Sequence, residues 1–401
     1  MAEKKSRISH ATGFWVVAVS FVLVMAYSTV PTPLYPLYQQ QDGFPVSVVT
    51  VVFAAYAVGV VFSLFFVGHV SDWAGRRRML VIAVLVSALS AVLFLAWSSV
   101  PGLIVARLVN GASIGILTAT ATAHLGELRA KARPDENAIV AASVAGAANL
   151  GGLALGPLIG GLFAEFLPAP LVLPHVVFLV ALLIAAVVLT AVPETVRVPE
   201  QRPVYRPQRL AAPPSARRAF IAAGFGAFAG FSVFGLFTSL APTFLVGTFE
   251  QPDHLAAGAT AFSVFAAAAA GQLVFARVPL RTQLGIAVGC CAVGLIGVAS
   301  GAVLPQLAVF LIGGIVAGVG VGLLFKSSIA TASSLADPSR RGETLALIFL
   351  IAYCGLALPV LAVGLFLTFV EQTTVLLVFS ALVLIATVSA GLVMRTRKAA
   401  S

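Results

Sequence analysis

Apolar runs long enough to cross a bilayer follow one another along nearly the whole chain, separated mostly by short polar turns. A helix needs ~20 apolar residues to span the hydrocarbon. Runs of that length lie at about 13–38, 46–70, 78–97, 101–126, 138–163 and 172–192. Six more lie at about 218–247, 255–276, 282–300, 305–332, 344–369 and 372–394. The expected fold is therefore all-α and membrane-integral, with twelve transmembrane helices. With 60% hydrophobic and 9% charged residues, and a mean hydropathy of +1.06, a soluble globular domain is excluded.

The distribution of cations tests that layout. Every lysine and arginine except Arg107 and Lys326 falls on one side of the alternation, in the segments that are cytoplasmic if the N-terminus is inside. They include Lys4, Lys5 and Arg7 at the start, Arg76 to Arg78, six arginines between Arg197 and Arg218, and Arg395, Arg397 and Lys398 at the end. Both termini are thus expected in the cytoplasm, with the plasma membrane, a bacterial inner membrane, as the location. The net charge of +10 invites a nucleic-acid reading, but the cations alternate with apolar spans and form no basic face. The first apolar run is too long for a signal peptide, and no small-residue cleavage site follows it. Cys290, Cys291 and Cys354 sit inside apolar runs with no metal-ligand spacing, so neither a disulfide, a metal nor a cofactor is expected.

One long polar segment, residues 193–217, is rich in proline and arginine and reads as a cytoplasmic linker. It divides the chain into units 1–192 and 218–401, each of six spans. The units echo each other. Ser28-Thr-Val-Pro31 parallels Ser239-Leu-Ala-Pro242, Gly111-x-x-x-Gly115 parallels Gly318-x-x-x-Gly322, and Gly152-Leu-Ala-Leu parallels Gly355-Leu-Ala-Leu. A duplicated unit places a binding site between halves, near mid-membrane.

Between the second and third spans stands Gly68-His-Val-Ser-Asp72-Trp-Ala-Gly75-Arg76-Arg77-Arg78. A sharp return needs glycine at its corners, and a carboxylate at the membrane edge needs a cation beside it. The pattern Gly-x-x-x-Asp-x-x-Gly-Arg-Arg resembles the cytoplasmic loop of the major facilitator superfamily of secondary transporters. The resemblance implies two pseudo-symmetric six-helix bundles rocking about a central cavity, usually as a monomer, with Gly68, Asp72, Gly75, Arg76 and Arg77 latching the halves shut. The corresponding stretch of the second unit, Gly271 to Arg277, lacks the acid.

Arg107 lies inside the fourth span, with Asn110 and Thr118 on its helix face. An unpaired cation there costs several kcal/mol and is functional by default. The segment resembles the superfamily motif whose arginine is associated with proton transfer. In the fifth span, Gly152-x-x-x-Gly156-Pro157-x-x-Gly160-Gly161 offers a smooth face for a close helix neighbour. Its Gly-Pro-x-x-Gly-Gly core resembles the motif of the antiporters, notably the twelve-helix drug:proton branch, and so implies export; Ser143 departs from the motif at its start.

Candidate cavity residues are Tyr27, Tyr56, Arg107, Asn110, Asn149, Phe234, Thr238, Tyr353 and Lys326, the polar and aromatic groups placed within spans. Tyr35 and Tyr38 are expected at the outer interface as anchors, and His124 and His175 at span ends as solvated or capping groups. None of the fourteen acids is deep in a span; Asp72 and Glu165 come closest, at opposite ends of their helices. Two intramembrane cations without an intramembrane carboxylate imply a small neutral or anionic amphiphile as cargo, and the resemblance to drug:proton antiporters implies protons as the coupling ion. Any proton path would use Asp72, Arg107, Glu165 or a histidine. Uptake of an organic anion on Arg107 and Lys326, and a non-transporting sensor on the same scaffold, are the rival readings. No phosphate-binding loop is present for ATP-driven pumping, and neither clustered acids nor histidines for an enzyme.

Overall fold

The computed structural model describes residues 8–196, 205, 207, 210, 212, 216–337 and 340–395. Most of the 193–217 linker, and the cations Lys4, Lys5, Arg7, Arg197, Arg202, Arg206, Arg209, Arg397 and Lys398, lie outside the described residues. The protein is an all-helical membrane protein. Eleven of its spans are long and apolar enough to cross a bilayer. The twelfth, α8 (Leu173–Leu189), has 17 residues, the short end of what can span.

The first span is not one helix. α1 (His10–Thr29) starts at Ser9, whose hydroxyl accepts the Thr12 N–H. It stops where Pro31 and Pro33 remove two N–H donors and press on the preceding turn. A single 3₁₀ turn (Thr32–Leu34) follows, then α2 (Tyr35–Asp42), which ends on Gly43 in the left-handed conformation. The seventh span breaks likewise, into α9 (Arg217–Ser239) and α10 (Ala241–Phe249), with Pro242 near the start of the second piece. The sequence echo of Ser28–Pro31 with Ser239–Pro242 thus marks the same event twice.

The remaining elements are α3 (Val46–Phe66), α4 (Ser71–Ala74), α5 (Arg76–Ala96), α6 (Val100–Ala132) and α7 (Ile139–Phe166) in the first half. The second half adds α11 (His254–Val274), α12 (Leu280–Val303), α13 (Leu307–Leu335), α14 (Arg341–Phe366) and α15 (Gln372–Arg395). Helices of each half pack on one another, and the halves meet along two seams, α7 with α11 and α3 with α14.

Glycine makes these packings possible by letting backbones touch. A Cβ on Gly111 would lie 2.0 Å from the Tyr56 carbonyl oxygen of α3, and one on Gly318 would lie 2.4 Å from that of Val264 in α11. Gly156 would meet Ala26 O at 2.1 Å, and Gly355 would meet Phe228 O at 2.3 Å. Each echo in the sequence therefore serves the equivalent helix pair in each half. Outward faces remain apolar, as at Val187, Ile312 and Leu382, where lipid is the solvent.

Candidate functional site

Between the halves lies a cavity with an empty volume of about 680 Å³ counted to its open mouth. Its two walls differ in chemistry. The first half contributes Ser28 and Thr29 at the end of α1, Phe53 and Tyr56 of α3, Thr118 of α6, and Asn149, Leu150 and Leu153 of α7. The second contributes Phe231, Phe234 and Thr238 of α9, Phe265 of α11, Phe325 of α13, and Phe349, Tyr353 and Leu356 of α14. The phenylalanines form a continuous cluster. Phe234 stacks on Phe265 at 4.5 Å between centroids, and Phe231 packs against Phe325 at 4.7 Å and Tyr353 at 5.4 Å.

The hydroxyls of the cavity have a sign of their own. Ser28 donates to Met25 O at 2.7 Å, Thr118 to Ile114 O at 2.8 Å, and Thr238 to Phe234 O at 2.6 Å. With their protons committed to helix carbonyls, these hydroxyls offer lone pairs to a ligand. No charged side chain lines the cavity among the described residues.

A second space of about 690 Å³ adjoins the first through Thr118, Phe349 and Tyr353. It continues along Leu64, Ala119, Thr122 and Ala123, toward the end that carries the chain termini. The opposite end is shut. There Gly161 packs so closely that a Cβ would lie 2.6 Å from His254 O, and one on Gly258 would lie 2.2 Å from Pro157 O. Gly364 of α14 is equally tight against Thr50 of α3. Glu165 accepts the His254 N–H at 3.1 Å and holds the start of α11 there.

The antiporter-like glycines divide their labour along α7. Gly152, Gly156 and Gly160 face α1 and its break, and Gly161, with the Pro157 carbonyl, faces α11 of the other half. The helix runs through Pro157 without interruption.

Of the residues expected at the cavity, Tyr56, Asn149, Phe234, Thr238 and Tyr353 line it. Arg107 and Asn110 are 1% exposed and lie one layer behind. The guanidinium donates from Nε to the Tyr35 hydroxyl and from Nη1 to Ser28 O, both at 2.6 Å. It also sits over the rings of Tyr35 and Tyr56, 5.3 and 5.9 Å from their centroids. Among the described residues, Arg107 Nη2 and both polar atoms of the Asn110 amide have no hydrogen-bond partner. Tyr27 is fully buried away from the cavity, with its ring 5.4 Å from that of Phe178. Lys326 follows the cavity residue Phe325 and donates to Gln272 O at 3.1 Å.

Three expectations need correction. Tyr35 and Tyr38 are not interfacial anchors: they are 1% and 0% exposed, folded inward by the break in α1. His175 is no solvated cap. It is fully buried, bonded to the Tyr27 hydroxyl through Nδ1 at 3.0 Å and to the Tyr38 hydroxyl through Nε2 at 3.2 Å, and stacked on Phe94 at 4.7 Å. His124 is also fully buried, 3.4 Å from the Thr195 hydroxyl.

The Gly68–Arg78 turn forms a charged cluster at the termini end. Gly75 takes φ +101°, which glycine alone adopts cheaply, and a Cβ there would lie 2.7 Å from Glu194. Glu194 accepts the backbone N–H groups of Arg76 and Arg77 at 2.9 and 3.1 Å, completing the open start of α5. Arg76 pairs with Asp72 at 2.6 Å and with Glu127 at 3.1 Å, and Arg77 donates to Val192 O at 3.2 Å. Tyr205 of the linker donates to Phe66 O and stacks on His69. All these partners precede α9. Glu127 and Glu194 went unremarked in the sequence, although both are acids at the end where arginines collect. The cavity phenylalanines other than Phe234 carried no signal, because an apolar residue in an apolar run is unmarked.

A family profile described as Major Facilitator Superfamily matches residues 17–358. Among curated protein sequences, no match is found. The fold is similar to several solved transporters. A bacterial homolog of the human lysosomal transporter Spinster, inward-facing and unoccupied, matches with TM-score 0.71 at 15% identity, over 100% of both chains. The nucleoside transporter NupG matches with TM-score 0.69 at 12% identity, over 95% of this chain and 99% of that one. The human organic anion transporter MFSD10 (TETRAN) matches with TM-score 0.65 at 18% identity, over 95% and 99%.

Proposed function

The chain belongs to the major facilitator superfamily of secondary transporters, not enzymes, and we propose that it exports a small neutral or anionic amphiphile in exchange for protons. The units 1–192 and 218–401 rock as two bodies about the cavity, tied by the 193–217 linker, in a monomer. Both termini lie in the cytoplasm of a bacterial cell, since the cations gather at that end. The cavity open toward the termini is then the cargo-loading state.

The observation that carries this reading is the chemistry of the cavity: an aromatic wall facing hydroxyls and an amide, a guanidinium behind them, and no carboxylate. Such a site solvates an apolar body with polar edges and gives a fixed cation no counter-charge. The Gly-Pro-x-x-Gly-Gly match to antiporters supports export. The latch reading of the Asp72 turn is compatible with its partners here, all within the first half or the linker that follows it, because the end it would close is open.

The test is a growth-inhibition screen of an expressing strain against a compound panel, repeated with Asp72→Asn and Arg107→Ala. Resistance to neutral or anionic amphiphiles, lost in both variants and on collapse of the proton gradient, is the expected result. Resistance confined to quaternary ammonium compounds would refute it. Lys326 beside the cavity, bonded to the neutral Gln272 O, favours a second reading, uptake of an organic anion. Counterflow in vesicles of known orientation separates the two.

A further inference from the structure

The interruption of the first span is bridged twice by buried polar side chains. Arg107 holds Ser28 O on the α1 side and the Tyr35 hydroxyl on the α2 side. His175 holds the Tyr27 hydroxyl on the α1 side and the Tyr38 hydroxyl on the α2 side. The joint between them, Val30 to Leu34, is packed against α7 at Gly160, where a Cβ would lie 2.3 Å from Val30 O. Ser28 and Thr29, the last residues before the joint, line the cavity. A change in the angle between α1 and α2 must therefore break a bond to Arg107 or to His175, and is felt directly by a bound cargo.

The two bridges differ in one respect. The guanidinium keeps its charge at any physiological pH, whereas an imidazole can gain or lose one. The intramembrane region lacks a carboxylate to carry a proton, Asp72 is 62% exposed at one end, and Glu165 is exposed at the other. We propose that His175 is the proton-carrying group of this transporter, and that its protonation moves the joint between α1 and α2. The assignment rests on the proton-coupled reading above and names the site where that coupling occurs.

A neutral imidazole donates through one ring nitrogen and accepts through the other, so one of the Tyr27 and Tyr38 hydroxyls donates to the ring. Protonation puts a hydrogen on the accepting nitrogen. Two hydrogens then face each other, so the hydroxyl that donated must turn away, and that limb of the bridge across the joint is released. The proton enters from the end opposite the termini, near which His175 and Tyr38 lie. It leaves toward the termini end once the joint has moved, and the hydroxyl donates to the ring again. The groups around the ring are Tyr27 of α1, Tyr38 of α2, Arg107 of α6 and the uncharged Phe94 of α5; Asp42, exposed at the end of α2, acts on Tyr38. The cationic Arg107 opposes a second charge while both bridges are closed, so protonation and release of the joint go together.

The experiment needs no cargo. Spin labels on Thr122→Cys and Val274→Cys, with Cys290, Cys291 and Cys354 replaced by alanine, report the width of the open end by electron–electron distance measurement in liposomes. Between about pH 5 and pH 8, the range in which histidine charges, the otherwise wild-type protein is expected to shift from one distance population to another. His175→Gln is expected to lose that shift, and Tyr38→Phe to keep it with a displaced midpoint. In ¹⁵N-histidine-labelled protein, the ring signal absent from His175→Gln must titrate in step with the distances. Should His175→Gln fail to fold, an unmoved midpoint in Tyr38→Phe overturns the proposal. A His175→Gln protein with the unaltered pH response removes the assignment and leaves proton coupling standing. Distances that ignore pH in the parent protein remove both.

Discussion

The first and seventh spans break at equivalent places for the same reason, proline inserted into an apolar helix, yet the two breaks are held by opposite means. The first is bridged by Arg107 and His175 through four polar contacts to its two limbs. The second is packed in hydrocarbon: Phe237 of α9 and Phe249 beyond the break both lie against Phe310, at 5.6 and 5.0 Å. Apolar packing is indifferent to pH and yields only to changes of volume. A charged, hydrogen-bonded bridge in low dielectric has discrete arrangements and responds to a proton. The same kind of joint thus occurs twice, one held by hydrogen bonds and the other by ring packing, and on the proposal above only the first is switchable.

That contrast can be broken most forcefully at Phe310. Phe310→Ala is expected to cost about 3–5 kcal/mol of stability, as a buried phenylalanine truncation does, with the pH response of the open end unchanged. Thermal unfolding in detergent gives the first quantity, and the pH series of spin-label distances gives the second. Arg107→Met is expected to leave Ser28 O and the Tyr35 hydroxyl without a donor, at about 1–3 kcal/mol for each orphaned group. It should also abolish transport in proteoliposomes, whereas the Phe310 variant retains it where folded.

Gly258→Ala probes the seam that shuts the far end. Its Cβ would stand 2.2 Å from Pro157 O, so the halves must separate there. A loss of about 1–3 kcal/mol is expected, together with greater labelling of a cysteine at Thr50 by an impermeant reagent from that side. The smallest effect is at Asp72, whose side chain is 62% exposed where it pairs with Arg76. Asp72→Asn should change stability by less than about 1 kcal/mol while still lowering transport, because the latch reading assigns its work to the state with the termini end closed.

Much of this was legible in the sequence. The spans were visible because a bilayer demands long apolar runs, and the glycine seams because close backbones demand the absence of a side chain. Arg107 stood out because a cation in hydrocarbon needs a reason. What stayed hidden has a common cause. Tyr35, Tyr38 and His175 lie near span ends, where linear position suggests an interface, and only the break at Pro31 and Pro33 turns the two tyrosines into the bundle, where Tyr38 meets His175 of α8. Glu194 lies beyond the last apolar residue of its half, and only the fold brings it to the start of α5. The aromatic wall was unreadable, since Phe231, Phe265, Phe325 and Phe349 differ from lipid-facing phenylalanines in direction alone.

The central claim, a movable first joint and a fixed seventh, is tested most directly by measuring both angles in one protein. Spin-label pairs at Val19 and Gln41 span the first break, and pairs at Ile221 and Val246 span the second, all on exposed positions. As pH falls from about 8 to about 5, through the range where histidine charges, the account predicts a changed distance for the first pair and a constant one for the second. Equal changes in both, or a change confined to the second, would contradict it.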